Sequence, residues 1–275
     1  MFNKDIKVLI LGQGLLGSAL TDHWRDVADI STWRTQDIQK FLYANRTARS
    51  VMLKPYEFVV NCAVSKKELD VHRIEPSSVL INSLLPLALA ESINIDRCFL
   101  IHFSTDQFAL ERWENGYAIE KTIGDILLSN TQSIILRGAF FSLKKNTHGF
   151  MDFIKAAHTG NILSGYVNVY SRAIDIQNLL FFIDEILLEQ ESRHMVIGYG
   201  TDKKYQKYEL IRDVLKRVGL KDYVVPSSKI VLGCTGEQHF PREFTQFYHD
   251  EFKELSYASL IDTVAHFLQI SKESS

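Results

Sequence analysis

Cysteine is scarce: Cys62, Cys98 and Cys234 are the only three in 275 residues. Their odd number and wide spacing exclude a disulfide framework or a Cys-x-x-Cys metal knuckle, and point to a reducing compartment. Five prolines and 14 glycines leave no place for long linkers or collagen-like tracts. Long apolar runs are missing as well. The first, Val8 to Leu11, is too short for the apolar region of a signal peptide or for a membrane span, so a soluble cytoplasmic protein is expected. No sign of charge dominates, since 31 basic residues face 33 acidic ones for a net charge of −2. Without a basic excess, neither a nucleic acid nor an anionic membrane is an expected partner.

What remains is an ordinary globular composition, 46% apolar and 23% charged, with an alternating pattern. Short β-branched or apolar runs at 6–11, 29–32, 58–62, 98–103, 133–136 and 194–197 read as strands. Segments of helical period lie between and after them, at 15–26, 37–48, 76–93, 117–129, 150–158, 175–188, 208–218 and 255–268. Pro86 sits inside the 76–93 pattern and predicts a kink or break. The alternation is that of an α/β fold with a doubly wound parallel sheet (a Rossmann fold) and a smaller C-terminal substrate lobe. The expected division is a dinucleotide-binding lobe over 1–142, completed by elements within about 165–200, and a mainly substrate-binding lobe over 143–275.

Gly12-Gln13-Gly14-Leu15-Leu16-Gly17 matches G-x-G-x-x-G between the first strand and the first helix. Glycines there allow a tight turn and close approach of a pyrophosphate, and the helix N-terminus offers free amides to it. The plainer alternative is a glycine turn that only packs helix on strand. At the end of the second strand, Ser31-Thr32-Trp33-Arg34 has no acid for a ribose diol but has Arg34, whose guanidinium suits a 2′-phosphate. NADP(H) is therefore favoured over NAD(H), with a solvated surface arginine as the alternative.

Ser104-Thr105-Asp106 follows the strand at 98–103, and Tyr117 and Lys121 lie four apart on one helix face. An ammonium near a phenol favours the phenolate, and a hydroxyl such as that of Thr105 can bond the same substrate oxygen. A chain of this composition yields about 0.7 Tyr-x-x-x-Lys matches by chance. A second match, Tyr199 to Lys203, reads as a solvated loop. The Phe140-Phe141 and Phe181-Phe182 pairs read as core, and the histidines at 239 to 249 as surface and packing residues with no His-Glu-x-x-His zinc motif.

These residues together resemble the extended short-chain dehydrogenase/reductase superfamily, and within it the dTDP-4-dehydrorhamnose reductase family, from Lys7 to about Leu220. The likeness rests on the glycine loop, Asp37-Ile38, Asn61-Cys62-Ala63, Asn82, Ser104-Thr105-Asp106, Tyr117 with Lys121, Ile135-Leu136-Arg137 and Gly149-Phe150. It implies that Gly14, Leu15 and Leu16 cradle a pyrophosphate, with Gly12, Gln13 and Gly17 completing the loop. Asp37 and Ile38 would meet the adenine; Ala63, Val64, Ser65 and Asn82 would line the cofactor. Thr105, Tyr117 and Lys121 would be the catalytic trio, the last two also touching the cofactor, while Thr105, Asp106 and Phe140 would face the sugar nucleotide. The reaction implied is NADP(H)-dependent reduction of a 4-keto nucleotide sugar for polysaccharide synthesis. Only ten residues separate Asp106 from Tyr117, fewer than the family usually has. That shortening keeps open a non-catalytic dinucleotide-binding regulatory or scaffold protein. An epimerase or dehydratase of the superfamily is the other alternative, and a homodimer is compatible with all of these.

Overall fold

The computed structural model describes residues 4–65, 76–94, 96–105, 116–143, 163–166, 170–189, 194–220, 224–227 and 251–273. The apolar run near the N-terminus forms β1 (Lys7–Leu11), buried at every residue but its first, as a parallel strand covered on both faces must be. β2 (Asp29–Trp33) pairs with it on one side and β3 (Phe58–Asn61) on the other, both in parallel. β4 (Phe99–Phe103) and β5 (Ser133–Arg137) extend the sheet beyond β3, followed by β10 (Met195–Thr201) and β13 (Glu251–Leu255). Among the described residues the order is β13-β10-β5-β4-β3-β1-β2. The chain thus winds outward from β1 to β2 and then crosses to the other side of β1 as β3. Ligands of doubly wound sheets bind beyond the strand ends at such a reversal.

Helices cover the sheet. α1 (Leu15–Trp24) buries Leu16, Leu20 and Trp24. Its last turn is tied to α7 (Ile176–Glu189) by Asp184, whose carboxylate accepts the Trp24 indole N–H at 2.8 Å and meets His23 Nε2 at 2.7 Å. Where one helix is expected over 37–48 there are two, α2 (Thr35–Tyr43) and α3 (Arg46–Leu53). Ala44 leaves the helical region and the Asn45 side chain accepts the Ala48 amide at 2.9 Å, capping a new start. Leu9, Phe41, Val59, Leu85, Leu89, Leu100 and Ile135 are in the core of this unit.

The break expected at Pro86 takes a particular form. α4 (Pro76–Val79) runs into a wide turn over Leu80–Leu84, in which the Leu85 amide reaches back five residues to the Leu80 carbonyl, and α5 (Leu85–Ala90) continues from it. Proline has no N–H to give the carbonyl four residues back, and its ring crowds that carbonyl. A π-type turn accommodates both. The displaced Asn82 carbonyl lies against α6 (Gly116–Leu128), where a Cβ on Gly124 would come within 2.7 Å of it.

The chain divides into two compact units, one of Met1–Arg137, Leu180–Gly198 and Glu243–Phe252, the other of Gly138–Leu179, Tyr199–Arg242 and Lys253–Ser275. In the second, β6 (Phe140–Phe141) pairs with β9 (Ile174–Asp175), β7 (Leu163–Tyr166) with β12 (Val224–Ser227), and β8 (Tyr170–Ser171) with β11 (Tyr205–Gln206). α8 (Lys207–Arg217) and α9 (Tyr257–Glu273) supply Leu210, Ile211, Val214, Leu260 and Val264 to its core. Two expectations are corrected here. Tyr199 is not in a solvated loop but inside β10, 4% exposed, because the Gly-Tyr-Gly sequence continues a strand. Phe181 is 59% exposed and not core, since α7 buries Leu179, Leu180, Ile183, Ile186 and Leu187 and leaves Phe181 on its other face. The expected helix at 150–158, Cys234 and the histidines at 239–249 lie outside the described residues.

Candidate active site

Gly12, Gly14 and Gly17 stand in three different situations. Gly12 has φ +86, and a Cβ on it would lie 2.7 Å from the Ala63 Cα, so the loop after β1 is pressed against the loop after β3. At Gly17 a Cβ would meet the Gly12 carbonyl oxygen at 1.9 Å, so glycine lets α1 sit close on the turn. Gly14 needs its hydrogen for neither reason: its φ is −73 and a Cβ would find nothing within 4 Å. It opens α1 with no side-chain cap, leaving free amides beside unfilled space. Buried next to it, the Gln13 side-chain nitrogen has no hydrogen-bond partner among the described residues. A donor-rich concavity at a helix N-terminus fits a phosphate group.

The loop after β3 is held by two asparagines. Asn61, at the end of the strand, accepts the Ala63 amide on its Oδ1 at 3.1 Å, and its Nδ2 points at His102 Nδ1 at 3.1 Å. That orientation makes Nδ1 of His102 the acceptor and leaves the proton on Nε2, 4.0 Å from Asp125 Oδ1. Burial, reinforced by the nearby Lys121 and Arg137 charges, holds His102 well below the usual histidine range, so it is neutral. Asn82, from the π-type turn, accepts the Ser65 amide at 3.1 Å and donates to the Ser65 carbonyl at 3.2 Å.

Lys121 lies on α6 with 2% exposure, and its Nζ donates to the Phe103 carbonyl at 2.8 Å, at the end of β4 and two residues before Thr105. Tyr117 is one turn earlier on the same helix and half-buried; Thr105 is buried. Desolvation lowers the Lys121 pKa to about 8, against the opposing pull of Asp125, Cys62 and Glu120. Asp125 is buried under this helix, accepting from Ser104 Oγ and from Arg137 Nε at 2.8 Å each. Its carboxyl is pushed up by burial and drawn back by Arg137, Ser104 and Lys121.

The other expected site residues fall as follows. Arg34 is exposed at the start of α2, and its backbone amide donates to the Asp37 carboxylate at 3.0 Å. The Ile38 side chain packs in the core. Phe140 is half-buried in β6 of the second unit, whereas Phe141 belongs to that unit's core. Asp106 and Gly149-Phe150 lie outside the described residues. Sequence reasoning passed over a cavity of about 480 Å³ that includes Thr35, Gln39, Arg49, Ser65, Ile81 and Leu84. It also passed over Glu120 and Asp125, whose carboxylates carry no pattern until α6 is laid on β4 and β5, and gave Arg137 no part in the chemistry. No helix among the described residues is long and apolar enough to cross a membrane, and no group of metal-ligating side chains gathers among them.

The sheet order and the glycine loop at its reversal define a Rossmann-type α/β fold. Its structural neighbours include dTDP-4-dehydrorhamnose reductases and nucleotide-sugar 4-epimerases. The dTDP-4-dehydrorhamnose reductase from Bacillus anthracis, solved in complex with NADP, aligns over 98% of this chain and 100% of its own with a TM-score of 0.72 at 15% identity. Bordetella bronchiseptica WbmG, solved with NAD, covers 96% of this chain and 94% of its own with a TM-score of 0.70 at 16% identity. The Bacillus cereus UDP-glucuronic acid 4-epimerase, in complex with UDP-glucuronic acid and NAD, covers 97% and 100% with a TM-score of 0.66 at 13% identity. Likeness at these identities is one of fold. No family model matches the sequence, and no curated protein matches it by sequence.

Proposed function

We propose that this protein is a nicotinamide-dinucleotide-dependent oxidoreductase acting on a nucleotide sugar, and that it reduces a 4-keto group with NADPH as the preferred donor. The observation that carries the reading is the Lys121 ammonium, buried and held by the Phe103 carbonyl one helical turn from Tyr117. Gly14 and Gln13 would take the pyrophosphate, the loop of Ala63 to Ser65 would run along the cofactor, and the cavity lined by Thr35, Gln39 and Ile81 would receive its adenosine end. When bound, the dinucleotide supplies hydride to a carbonyl carbon. Tyr117 Oη gives its proton to the carbonyl oxygen, and the Thr105 hydroxyl bonds the same atom. Lys121 favours the phenolate that remains, and its fixed position adds no reorganisation. The neighbours solved with NADP and NAD support a nicotinamide dinucleotide, and the reductases among them support a reduction.

Purified protein given a dTDP-4-keto-6-deoxyhexose should oxidise NADPH. Positioned general acids contribute about 10²–10⁴-fold, so Tyr117→Phe should lose that much in kcat while its NADPH affinity, measured by fluorescence titration, holds. A Tyr117→Phe variant as fast as the wild type overturns the proposal. The likeness to 4-epimerases supports a second reading; such an enzyme interconverts nucleotide sugars without net consumption of NADPH.

A further inference from the structure

Glu120 is a buried carboxylate for which the chemistry above gives no use. It is 2% exposed and makes no ion pair among the described residues. Instead Oε1 accepts the Ser78 hydroxyl and Oε2 accepts Asn82 Nδ2 at 2.6 Å. The Glu120 backbone carbonyl accepts the Ser83 hydroxyl at 2.7 Å, so both ends of the residue grip the π-type turn.

The chemistry of these groups gives the contact a direction. An ionised carboxylate only accepts, so Asn82 must offer it nitrogen. With Nδ2 so placed, Oδ1 faces the Ser65 amide and the second N–H reaches the Ser65 carbonyl, both within 3.2 Å. A reversed amide would set oxygen against the carboxylate and nitrogen against an N–H. Glu120 thereby fixes which way round Asn82 reads the backbone of the loop after β3. Its neighbour Lys121 is fixed to β4.

We propose that Glu120 is a positioning residue: through Asn82 it holds the Ser65 backbone in register with the helix that carries Tyr117 and Lys121. The role rests on the functional reading above, in which that loop lies along the dinucleotide. No other acid on α6 takes this part, because Asp125 is committed to Ser104 and Arg137.

Glu120→Gln tests it, since the substitution keeps the shape but can present an NH2 to Asn82 and so no longer dictates its orientation. The expected result is a rise of about tenfold in the NADPH Kd, with a smaller fall in the rate at saturating cofactor, and faster hydrogen exchange at the Ser65 amide. Asn82→Ala should weaken binding similarly, and adding Glu120→Gln to it should weaken binding no further, because the second residue acts through the first. A Glu120→Gln protein of lowered Tm but unchanged Kd and Ser65 exchange overturns the positioning role alone. Losses that simply add in the double variant overturn it too. Wild-type protein that binds neither NADPH nor NADH overturns the functional reading, and this role with it.

Discussion

The Asp37 carboxylate accepts the Arg34 amide at the first turn of α2, which engages the nearest acid after β2 in capping the helix. Arg34 is exposed there, and its side chain is the only cation of that turn. If its guanidinium bonds a 2′-phosphate, Arg34→Ala removes a charge-assisted contact of about 1.5–3 kcal/mol. NADPH affinity should then fall about 10- to 150-fold while NADH affinity hardly moves. Titrating both cofactors against both proteins measures this, and equal affinities for wild type and variant would reduce Arg34 to a solvated side chain. At this scale the sequence was informative where function leaves a local spelling. Glycines three and five apart, or a tyrosine four before a lysine, can be seen without coordinates. Glu120 has no such spelling, because its partners Ser78 and Asn82 lie about 40 residues away and meet it only across a helix pair. Ile38, expected beside the adenine, has its side chain among the apolar residues that seat α2 on the sheet, which leaves its backbone for such a contact.

The turn between β1 and α1 shows how an element combines packing and binding demands in one hexapeptide. Gly17→Ala would drive a methyl group into the Gly12 carbonyl, and backbone shifts of that kind cost about 1–3 kcal/mol or more. Gly14→Ser adds a side chain in open space at a position where serine is a favoured cap, so the Tm should hold or rise. NADPH affinity should nevertheless fall at least about tenfold, because the side chain fills the space where a phosphate would approach. Paired thermal melts and cofactor titrations separate the two, and a Gly14→Ser protein that binds NADPH normally would show that the space serves no ligand. Element boundaries were legible where side chains announce them. Pro86 forecast its own disturbance, though not that a π-type turn would turn Asn82 toward Ser65. Asn45 was an equally readable cap, yet the apolar period across 37–48 runs through it, and the separation of α2 from α3 was missed for that reason.

For the molecule as a whole, buried charge makes stability a function of pH. Lys121, near 8, binds its proton less well in the folded chain than in the unfolded one, where lysine titrates at about 10.5. The penalty of burying the ammonium is full below pH 8 and is relieved as pH climbs from 8 towards 10.5. Relative to Lys121→Met, which is uncharged throughout, the wild type should gain up to about 3 kcal/mol across that window. The Cys98 thiol, pushed up to about 12 by burial, opposes this above pH 9 but is common to both proteins. Urea unfolding of the pair at about pH 7.5 and about pH 10 measures the change, and a constant difference would rule it out. The doubly wound sheet was legible in the alternation of short apolar runs with helical periods. The passage from one lobe to the other was expected at about residue 142, and the compact units part at Arg137 and Gly138 with no linker-like composition between them. That passage has a consequence for the growing polypeptide. β5 is buried along its whole length and is flanked by β4 and β10, yet β10 leaves the ribosome only roughly 60 residues after β5. At about 5–20 residues per second, one edge of β5 waits about 3–12 s for its partner, and during that interval it is a strand edge open to chaperones and to other nascent chains.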